Sequence, residues 1–373
     1  MVEWQSVRLG TVVSTNQSTY SIKENWQFVN YLDTGNITMN RIDKIQYINT
    51  LMDKLPSRAR RKVKLNSIIY STVRPNQLHY GMIKEQPENF LVSTGFVVID
   101  VNSEKAVPDY LYYVLTQKEI TEQLQAIAEQ SVSAYPSLKP SDIENLEVLL
   151  PDIDTQKGIV AVLHAIDEKI KQNIEINNNL EQQAQAIFDN MFPNISNGSY
   201  AIGDYITPKR GKSLLSKNAI FGDVPVIAGG LEPSTYHNVA NTQSPVLVIS
   251  ASGANAGYVS LWNIPIWSSD SSYIDSSMTD DVYFWYVLLK KRQKEIFDAQ
   301  TGSAQPHIYP QHIASMSVSN LDIEEVHSYT SIVTPIFKKI GHHKEENTRL
   351  ASLRDTLLPK LMSGELDVSD IKL

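Results

Sequence analysis

The stretch SVSAYPSLKPSDIENL, residues 131–146, is echoed by TGSAQPHIYPQHIASM at residues 301–316. At a constant offset of 170 the two copies share Ser133/Ser303, Ala134/Ala304, Pro136/Pro306, Pro140/Pro310 and Ile143/Ile313, together with the apolar pairs Leu138/Ile308 and Leu146/Met316. Self-similarity at a fixed spacing is the signature of a structural repeat. The stretch therefore predicts two units of similar fold within one chain.

The match continues without a gap toward the C-terminus as a long heptad pattern. Asp154 and Thr155 can cap a helix that runs to about Phe192. Apolar residues recur along this helix in alternating steps of four and three, and the second copy shows the same steps at the same offset. The predicted seam consists of Ile159, Leu163, Ile166, Ile170, Asn177, Leu180 and Ile187 in the first copy, and of Val333, Ile336, Ile340, Asn347, Leu350, Leu357 and Leu361 in the second.

Polar residues interrupt both copies of the seam at the same level. Asn173 and Asn177 in the first helix correspond to His343 and Asn347 in the second. Polar seam residues weaken a helix pair but fix its register and partner, although a partly exposed seam position explains each Asn equally well. A helix of about 33 residues is about 50 Å long, so the two helices can bury their stripes against each other along a rod.

Toward the N-terminus the match fades and then returns at a different offset. Leu9-Gly10 resembles Ile202-Gly203, at an offset of 193. The parts of the chain between these N-terminal matches and the two copies of the opening motif are predicted to be β-rich. Residues 90–102, 244–250 and 256–267 contain β-branched and aromatic runs broken by Gly and Pro. Two amphipathic helices, predicted near 108–120 and 280–297, precede the two copies of the opening motif. Each unit is thus a variable globular part followed by a similar helix.

The composition is that of a globular protein of 373 residues, with 42% hydrophobic and 20% charged residues. The absence of cysteine excludes disulfide scaffolds, thiolate metal sites and cysteine nucleophiles. The first residues lack the apolar segment of a signal peptide, and no apolar run approaches the roughly 18 residues of a membrane helix. We therefore expect a soluble, cytoplasmic protein without a membrane partner.

Charge is distributed unevenly along the chain. The net charge of −8 argues against a nucleic-acid partner, yet between Arg41 and Arg74 nine Lys or Arg stand against two Asp, a local net charge of +7. A local field of that kind can hold phosphates on a chain that is anionic as a whole. A solvated surface loop explains the same charges equally well.

Catalytic signatures are missing from the sequence. The segment SGANAG at 252–257 lacks the ending of a phosphate loop and the third glycine of a dinucleotide fingerprint, so we interpret it as a turn between strands. Pro151-Asp152 with Asp167-Glu168-Lys169 resembles a nuclease pattern, but the second group lies on a predicted seam helix rather than on a strand. His342 and His343 lack zinc-ligand spacing. The chain is predicted to be non-catalytic, with no metal or cofactor of its own.

Several motifs together resemble the specificity subunit of type I restriction–modification systems. The resemblance covers the whole chain and rests on SVSAYPSLKPSDIENLEVLLP (131–151), TGSAQPHIYPQHIASMSV (301–318), PVIAGGLEPSTYHN (225–238), the segment 246–274, the helices containing YLYYVL and YFWYVL, and the terminal LRDTLLPKLMSGELDV (353–368). One departure is that RPNQLHYGMIKE (74–85) lacks the glycines that SGANAG carries in the second unit.

The resemblance implies an α+β fold with a pseudo-twofold internal repeat. Two mixed α/β target-recognition domains are each followed by a long helix, and the two helices pack as an antiparallel coiled coil. The implied divisions are 1–150 for the first recognition domain, 151–193 for the first helical region, 194–323 for the second recognition domain, and 324–373 for the second helical region with the C-terminal tail.

The same resemblance implies a function in DNA recognition. Each recognition domain would read one half of a bipartite double-stranded DNA target, and the paired helices would set the spacing of the halves. Two modification subunits, which use S-adenosylmethionine to methylate adenine, and ATP- and Mg-dependent restriction subunits would be the protein partners. The alternative is a coiled-coil scaffold that binds other proteins and has no DNA role, which the net charge of −8 favours.

The candidate DNA contacts are the Lys, Arg and polar residues that loops of each domain can present. Lys and Arg would contact phosphates, and Asn, Gln, Ser, Arg and Tyr would read base edges. The candidates in the first domain are Arg58, Arg60, Arg61, Lys62, Lys64, Arg74, Asn76, Gln77 and Tyr80, and those in the second are Lys209, Arg210, Lys212, Tyr236, His237, Ser252, Asn255, Tyr258, Lys290 and Lys291.

Overall fold

The computed structural model describes residues 4–130, 137–302 and 305–371. Five of the residues that the two copies of the opening repeat share lie outside these ranges, namely Ser133, Ala134, Pro136, Ser303 and Ala304. The chain forms two compact units. Unit 1 comprises Met1–Glu168 with Leu350–Leu373, and unit 2 comprises Lys169–Arg349. Both boundaries fall inside long helices, and the finer division into four regions stays a prediction.

Unit 1 is built on twelve strands among the described residues. They are β1 (Gln5–Arg8), β2 (Val13–Thr15), β3 (Phe28–Leu32), β4 (Ile37–Thr38), β5 (Arg41–Ile42), β6 (Gln46–Asn49), β7 (Ala59–Arg61), β8 (Ile68–Ser71), β9 (Tyr80–Met82), β10 (Phe90–Ser93), β11 (Phe96–Val101) and β12 (Glu147–Leu150). The two larger sheets have the orders β6-β3-β10-β7 and β2-β11-β8-β9, while β1 pairs with β12 and β4 with β5.

Helices pack against the sheet β2-β11-β8-β9. They are α1 (Pro108–Leu115), α2 (Lys118–Glu129), α3 (Pro140–Glu144) and the beginning of α4 (Ile153–Met191). The core of unit 1 joins β8, β9 and β11 to α1 and α2, and it is dominated by the apolar and Tyr side chains that the β-rich pattern predicted. Leu361, near the end of the chain, belongs to the same core.

Unit 2 repeats this plan with fewer strands. Its described elements are β13 (Tyr200–Ala201), β14 (Lys209–Arg210), β15 (Val224–Ile227), β16 (Thr235–His237), β17 (Val246–Ser250), β18 (Val259–Trp262), β19 (Trp267–Ser268), β20 (Ser271–Asp275), β21 (Ser317–Val318), α5 (Val282–Lys291), α6 (Gln293–Asp298), α7 (Pro310–Ala314) and the long α8 (Ile323–Met362). The sheet order β14-β20-β17-β18 matches β2-β11-β8-β9, and β16-β15-β19 matches β6-β3-β10 without an equivalent of β7 among the described residues. Strand β13 pairs with β21 as β1 pairs with β12.

The repeat extends to individual contacts. The amide of Leu9 donates to the carbonyl of Leu146 at 2.8 Å, and the amide of Ile202 donates to the carbonyl of Met316 at 2.9 Å. The glycine that follows each amide packs against the equivalent short helix, since a Cβ on Gly10 or Gly203 would lie 3.1 or 3.0 Å from the nearest atom of that helix. The predicted α+β fold with an internal repeat is confirmed.

Both long helices begin one residue after an aspartate cap. The Asp152 carboxylate accepts the amides of Asp154 and Thr155, each at 3.0 Å, and Asp322 accepts the amide of Glu324 at 2.9 Å. The cap predicted at Asp154-Thr155 therefore lies too far along the chain. Asp152 takes that position because its carboxylate reaches amides that otherwise have no intrahelical partner.

In unit 1 the seam residues of α4 and α8 belong to the core. Ile159, Leu163 and Ile166 are buried. Leu361 is fully buried as well, and Leu357 is partly buried against the same cluster. Both of these residues come from the end of α8. An ion pair also links the two helices here, because the guanidinium of Arg354 donates to Asp167 at 2.9 Å.

In unit 2 the two helices are antiparallel and meet through both apolar and polar residues. Val333 and Ile340 are buried, whereas Ile187 and Ile336 are only partly buried. The neighbouring aromatic residues Phe188 and Phe337 fill the core instead, and both contact aromatic residues of α5. A helix that packs on a third helix as well as on its partner presents a wider apolar face than a two-stranded seam. Ile170 and Leu180 are likewise half-buried, as is Leu350 in unit 1.

The polar seam residues bond across the helix pair of unit 2. Asn173 donates from Nδ2 to Oδ1 of Asn347 at 2.8 Å. One turn further along, Nδ1 of His343 donates to Oδ1 of Asn177 at 2.8 Å. Both bonds link residues that the repeat placed at one level, and they fix a single register because a slip would leave buried polar groups unpaired.

We predict an acid-sensitive contribution to stability from His343. Burial lowers its pKa, and nearby Lys339, Lys169 and His342 act in the same direction against Glu346. The unfolded chain, in which a histidine pKa is about 6.5, then binds the proton more readily than the folded chain. The free energy of unfolding should fall as the pH drops below about 6.5.

The measurement is the free energy of unfolding as a function of pH for the parent and for His343→Gln. The variant should show a shallower decline between neutral and mildly acidic pH, since its amide does not titrate. His164→Gln changes an exposed histidine of α4 that is not among the groups acting on His343, and it serves as the control with the parental slope. A His343→Gln variant that keeps the full parental slope contradicts the prediction.

Candidate nucleic-acid interface

One turn occupies equivalent positions in the two units. In unit 1 it follows β8, where the amide of Leu138 donates to the carbonyl of Thr72 at 2.8 Å. In unit 2 it follows β17, where the amide of Ile308 donates to the carbonyl of Ala251 at 2.9 Å. These matched bonds align residues 72–80 with 251–259 at an offset of 179, so Arg74 corresponds to Gly253.

The turn keeps its shape although its glycines are replaced in unit 1. Gly253 and Gly257 have φ values of +81° and +86°, and the equivalent Arg74 and Leu78 have values of +49° and +58°. The missing glycines noted in the sequence thus do not remove the turn. Non-glycine residues adopt the left-handed conformation there at a cost of roughly 1 kcal/mol each.

This turn, defined as residues 74–78 in unit 1 and 253–257 in unit 2, presents several of the predicted contacts. Arg74, Asn76 and Gln77 are exposed on it. The backbone amide of Asn76 donates to Oε1 of Gln125 at 3.2 Å, which ties the turn to α2. Asn255 lies at the equivalent turn of unit 2 and is partly exposed.

Tyr80 requires a correction. Its side chain is only 4% exposed, stacks on Tyr70 with 5.5 Å between ring centroids, and meets the edge of Tyr112 at 6.3 Å. It lies on β9, where alternation turns it into the core of unit 1. Tyr80 is therefore a core residue, and burial raises its pKa.

The basic stretch of unit 1 runs along β7 and its flanks. Arg58 is exposed, while Arg60 and Arg61 are half-buried on the strand. Burial lowers the pKa of the Arg61 guanidinium, which stays charged because an arginine pKa lies far above neutral pH. Two lysines of the stretch are paired: Lys62 with Glu24, and Lys64 with Asp100 at 3.6 Å.

These ion pairs reduce the local charge. Glu24 and Asp100 lie outside the stretch from Arg41 to Arg74, and including them lowers its net charge from +7 to +5. Lys62 also makes a cation–π contact with Trp26, since its Nζ lies 5.1 Å from the ring centroid. Of the five basic candidates at 58–64, Arg58 is thus the most available to a phosphate.

In unit 2 the basic candidates cluster at β14. Lys209, Arg210 and Lys212 are exposed. Arg210 pairs with Asp270, and the same carboxylate accepts the hydroxyl of Ser252. Ser252 is itself buried, so its hydroxyl supports Arg210 through Asp270, and the predicted contact of Ser252 with bases is not supported.

His237 also requires a correction, although its neighbour Tyr236 is exposed. The His237 ring is buried against the edge of Trp267 at 5.1 Å. Its Nδ1 accepts the amide of Ile220 at 3.0 Å. His237 therefore anchors the loop that precedes β15, since alternation along β16 turns Tyr236 outward and His237 inward.

Lys290 and Lys291 lie on α5 and are held within unit 2. Lys290 donates from Nζ to the carbonyl of Val259 at 3.2 Å and stands 4.5 Å above the ring of Tyr258, and burial lowers its pKa. Lys291 pairs with Asp189 of α4. These contacts make both lysines, and the half-buried Tyr258, part of the packing between α5 and its neighbours.

The carboxylates of the nuclease-like pattern have structural partners. Asp152 caps α4, and Asp167 accepts both the hydroxyl of Tyr113 at 2.7 Å and the guanidinium of Arg354. Within the described ranges, no group of three or more His, Asp or Glu is placed to hold a metal ion. In the same residues, no helix is long and apolar enough to cross a membrane.

Sequence reasoning missed a set of exposed apolar side chains on loops. Leu51, Met52 and Phe221 are 75%, 85% and 96% exposed. None of them belongs to an alternating or heptad pattern. The signal that could have found them is an isolated large apolar residue that no predicted element buries.

The sequence of this chain is similar to those of known proteins. Residues 1–182 match the family model described as type I restriction modification DNA specificity domain. The type I restriction enzyme HindI specificity subunit of Haemophilus influenzae is 24% identical over 465 aligned residues, which cover 98% of this chain and 100% of that protein. The MjaIX specificity subunit of Methanocaldococcus jannaschii is 25% identical and covers 73% of this chain and 72% of its own length.

A solved structure shares the fold over the same extent. The type I restriction–modification S subunit of M. genitalium has a TM-score of 0.59 at 19% identity, covering 97% of this chain and 96% of its own. The repeated unit with its long helix is thus a fold that this chain shares with that S subunit. Residues 1–182 thus match a type I restriction modification DNA specificity domain, and 98% of the chain is similar to a type I specificity subunit.

Proposed function

We propose that this chain is a non-catalytic subunit that reads a bipartite DNA sequence and directs modification and restriction subunits to it. The observation that supports this function best is the matched turn in the two units, at 74–78 and 253–257. Both turns stand on equivalent strands, yet they carry different side chains. Reading two different half-sites requires this combination, in which the backbone is shared and the exposed side chains differ.

The available side chains suit the two parts of DNA recognition. Asn76 and Gln77 can pair with base edges in a groove, and Arg74 can bond a guanine. Arg58 in unit 1 and Lys209 with Lys212 in unit 2 can hold phosphates, which position a protein on the duplex without reading sequence. Fixed polar groups on a folded turn bind with a smaller entropy cost than groups on an unstructured loop.

The chemistry and the cofactors belong to the partners in this proposal. Two modification subunits would supply S-adenosylmethionine-dependent adenine methylation, and restriction subunits would supply ATP- and Mg-dependent cleavage. The chain would work with them in the cytoplasm and would hold no cofactor itself. The structural roles of Asp152 and Asp167 support this division, because the nuclease-like carboxylates are already engaged.

Methylation sequencing tests the function directly. A host that carries this chain with its modification subunits should show methylated adenine in a split motif, and deletion of the chain should remove that motif alone. Loss of no motif contradicts the proposal and favours the coiled-coil scaffold. The matched control deletes the modification subunit, which should remove the same motif.

The salt dependence of binding tests the basic residues. Arg58→Gln with Arg60→Gln should weaken binding of the full complex to duplex DNA and lower the slope of log K against log salt by about 1 for each phosphate that is no longer neutralised. Lys118→Gln removes an exposed lysine on α2 that faces Glu122 at 3.7 Å and should leave the slope unchanged. An unaltered slope in the double Arg variant would show that these residues of β7 and its flank do not contact DNA phosphates.

The helix pair can be tested as the element that sets the half-site spacing. Seven residues inserted into α4 between Asp167 and Asn173, together with seven into α8 between Asn347 and Arg354, preserve the pairs Asp167–Arg354 and Asn173–Asn347. The added length of about 10 Å corresponds to roughly three base pairs. The methylated motif should gain about three unspecified positions with both half-sites unchanged.

An insertion into α4 alone is the control for this experiment. It shifts Asn173 and Asn177 away from Asn347 and His343, so the variant should lose stability and methylation together. A double insertion that alters either half-site, or that leaves the spacing unchanged, contradicts a spacing role for the helices.

A further inference from the structure

Each unit presents a large apolar side chain to solvent on a firmly held loop. In unit 2, Phe221 is 96% exposed and its neighbour Ile220 is 59% exposed. In unit 1, Leu51 and Met52 are 75% and 85% exposed. Burying such side chains is favourable by about 1.5–3 kcal/mol each, so an exposed pair on an ordered loop marks a contact that the isolated chain does not make.

The loop of unit 2 is anchored on both sides of Phe221. The amide of Ile220 donates to the buried Nδ1 of His237 at 3.0 Å. On the other side, Gly222 lies so close to β16 that a Cβ there would come within 2.5 Å of the carbonyl oxygen of His237. The backbone of Phe221 is therefore fixed although its side chain contacts almost nothing.

The turn of unit 1 is anchored in a comparable way. The amide of Thr50 donates to the carbonyl of Gln27 at 3.1 Å. Asn49 accepts the amide of Leu51 on its side chain at 3.0 Å and those of Met52 and Asp53 on its carbonyl at 3.1 and 2.8 Å. Leu51 and Met52 thus project from a closed turn.

The two features occupy the same end of equivalent strand pairs. In unit 1, β6 ends where Asn49 faces Phe28 of β3, and Leu51 follows two residues later. In unit 2, β15 begins where Val224 faces His237 of β16, and Phe221 precedes it by three residues. The chain segments differ, but the place in the repeated fold is the same.

Basic residues are concentrated next to both features in the sequence. Residues 53–61, which follow Met52, contain four Lys or Arg against Asp53, and residues 209–223, which include Phe221, contain four Lys or Arg against Asp223, so each segment has a net charge of +3. An apolar tip beside a run of cations matches a duplex, whose phosphates are anionic and whose stacked bases are apolar. A protein docking surface of this size would not need four cations beside each tip.

We propose that Phe221 in unit 2 and Leu51 with Met52 in unit 1 are wedges that insert between stacked base pairs of the DNA. This inference rests on the proposed recognition function and adds a mode of reading to it. A wedge partly unstacks one base step and selects steps that deform at low cost, such as a pyrimidine followed by a purine. Each half-site should therefore contain one such step that no polar side chain reads.

The experiment uses the full complex with its modification subunits and a duplex that carries the methylated motif. Guanine or adenine at successive steps, other than the methylated adenine, is replaced by 2-aminopurine, whose fluorescence rises when it is unstacked. The parent should raise the emission at one step in each half-site. Phe221→Ala should abolish the rise in one half-site only, and Leu51→Ala with Met52→Ala should abolish it in the other.

Affinity separates a wedge from a phosphate contact. Phe221→Ala should weaken binding roughly 5- to 100-fold while leaving the slope of log K against log salt unchanged, because no cation is removed. Phe221→Trp should retain binding and the fluorescence change. Phe297→Ala removes the same side chain from α6, where it is 37% exposed, and should behave as the parent.

The outcomes that overturn the inference are distinct. A parent complex that binds the duplex, with Phe221→Ala giving the same affinity and emission, overturns the wedge and leaves the recognition function standing. A Phe221→Ala chain that no longer assembles with the modification subunits assigns the loop to a protein contact instead. A parent complex that binds no duplex overturns the recognition function, and the wedge fails with it.

Discussion

The packing of α4 on α8 is the interaction on which both units depend. In unit 1 the core contains Leu163 from the beginning of α4 and Leu361 from the end of α8. In unit 2 it contains Phe188 from α4 and Tyr329 from α8, and the Tyr329 hydroxyl donates to the carbonyl of Ala184 at 3.0 Å. Segments that lie far apart in sequence must therefore pair before either core is complete. Neither core can form from one half of the chain alone.

The polar residues in this packing trade stability for a defined register. Asn173 donates to Asn347 and also to Glu346, both at 2.8 Å, yet its buried Oδ1 has no partner among the described residues. An apolar pair at this level would be more stable but would permit shifted alignments. The Asn173 and His343 bonds hold a single alignment, which matters in a helix pair that completes two separate cores.

The sequence predicts the framework better than the site, for a physical reason. Heptad spacing and the echo at an offset of 170 are periodic signals, and they predicted the helices, the paired polar level and the repeat. Whether a side chain on a short strand faces outward depends on a register that composition does not reveal. The predictions for Tyr80 and His237 failed for that reason, and the ion pair of Lys62 was not predictable because its partner Glu24 lies 38 residues away. Phe221 escaped notice because no periodic pattern includes it.

The two units keep the same residues at some equivalent positions and differ at others. Gly10 and Gly203 make the same close contact in both units, and a larger residue would disturb it in either. Arg74 and Gly253 also occupy one position, but there the residue changes and the backbone does not. Glycine would relieve the cost of a left-handed backbone in unit 1 as it does in unit 2. In the proposed function, an arginine at this exposed position adds a guanidinium that can bond DNA and that glycine lacks. The turn is thus a place where the side chain differs between the units while the backbone stays the same.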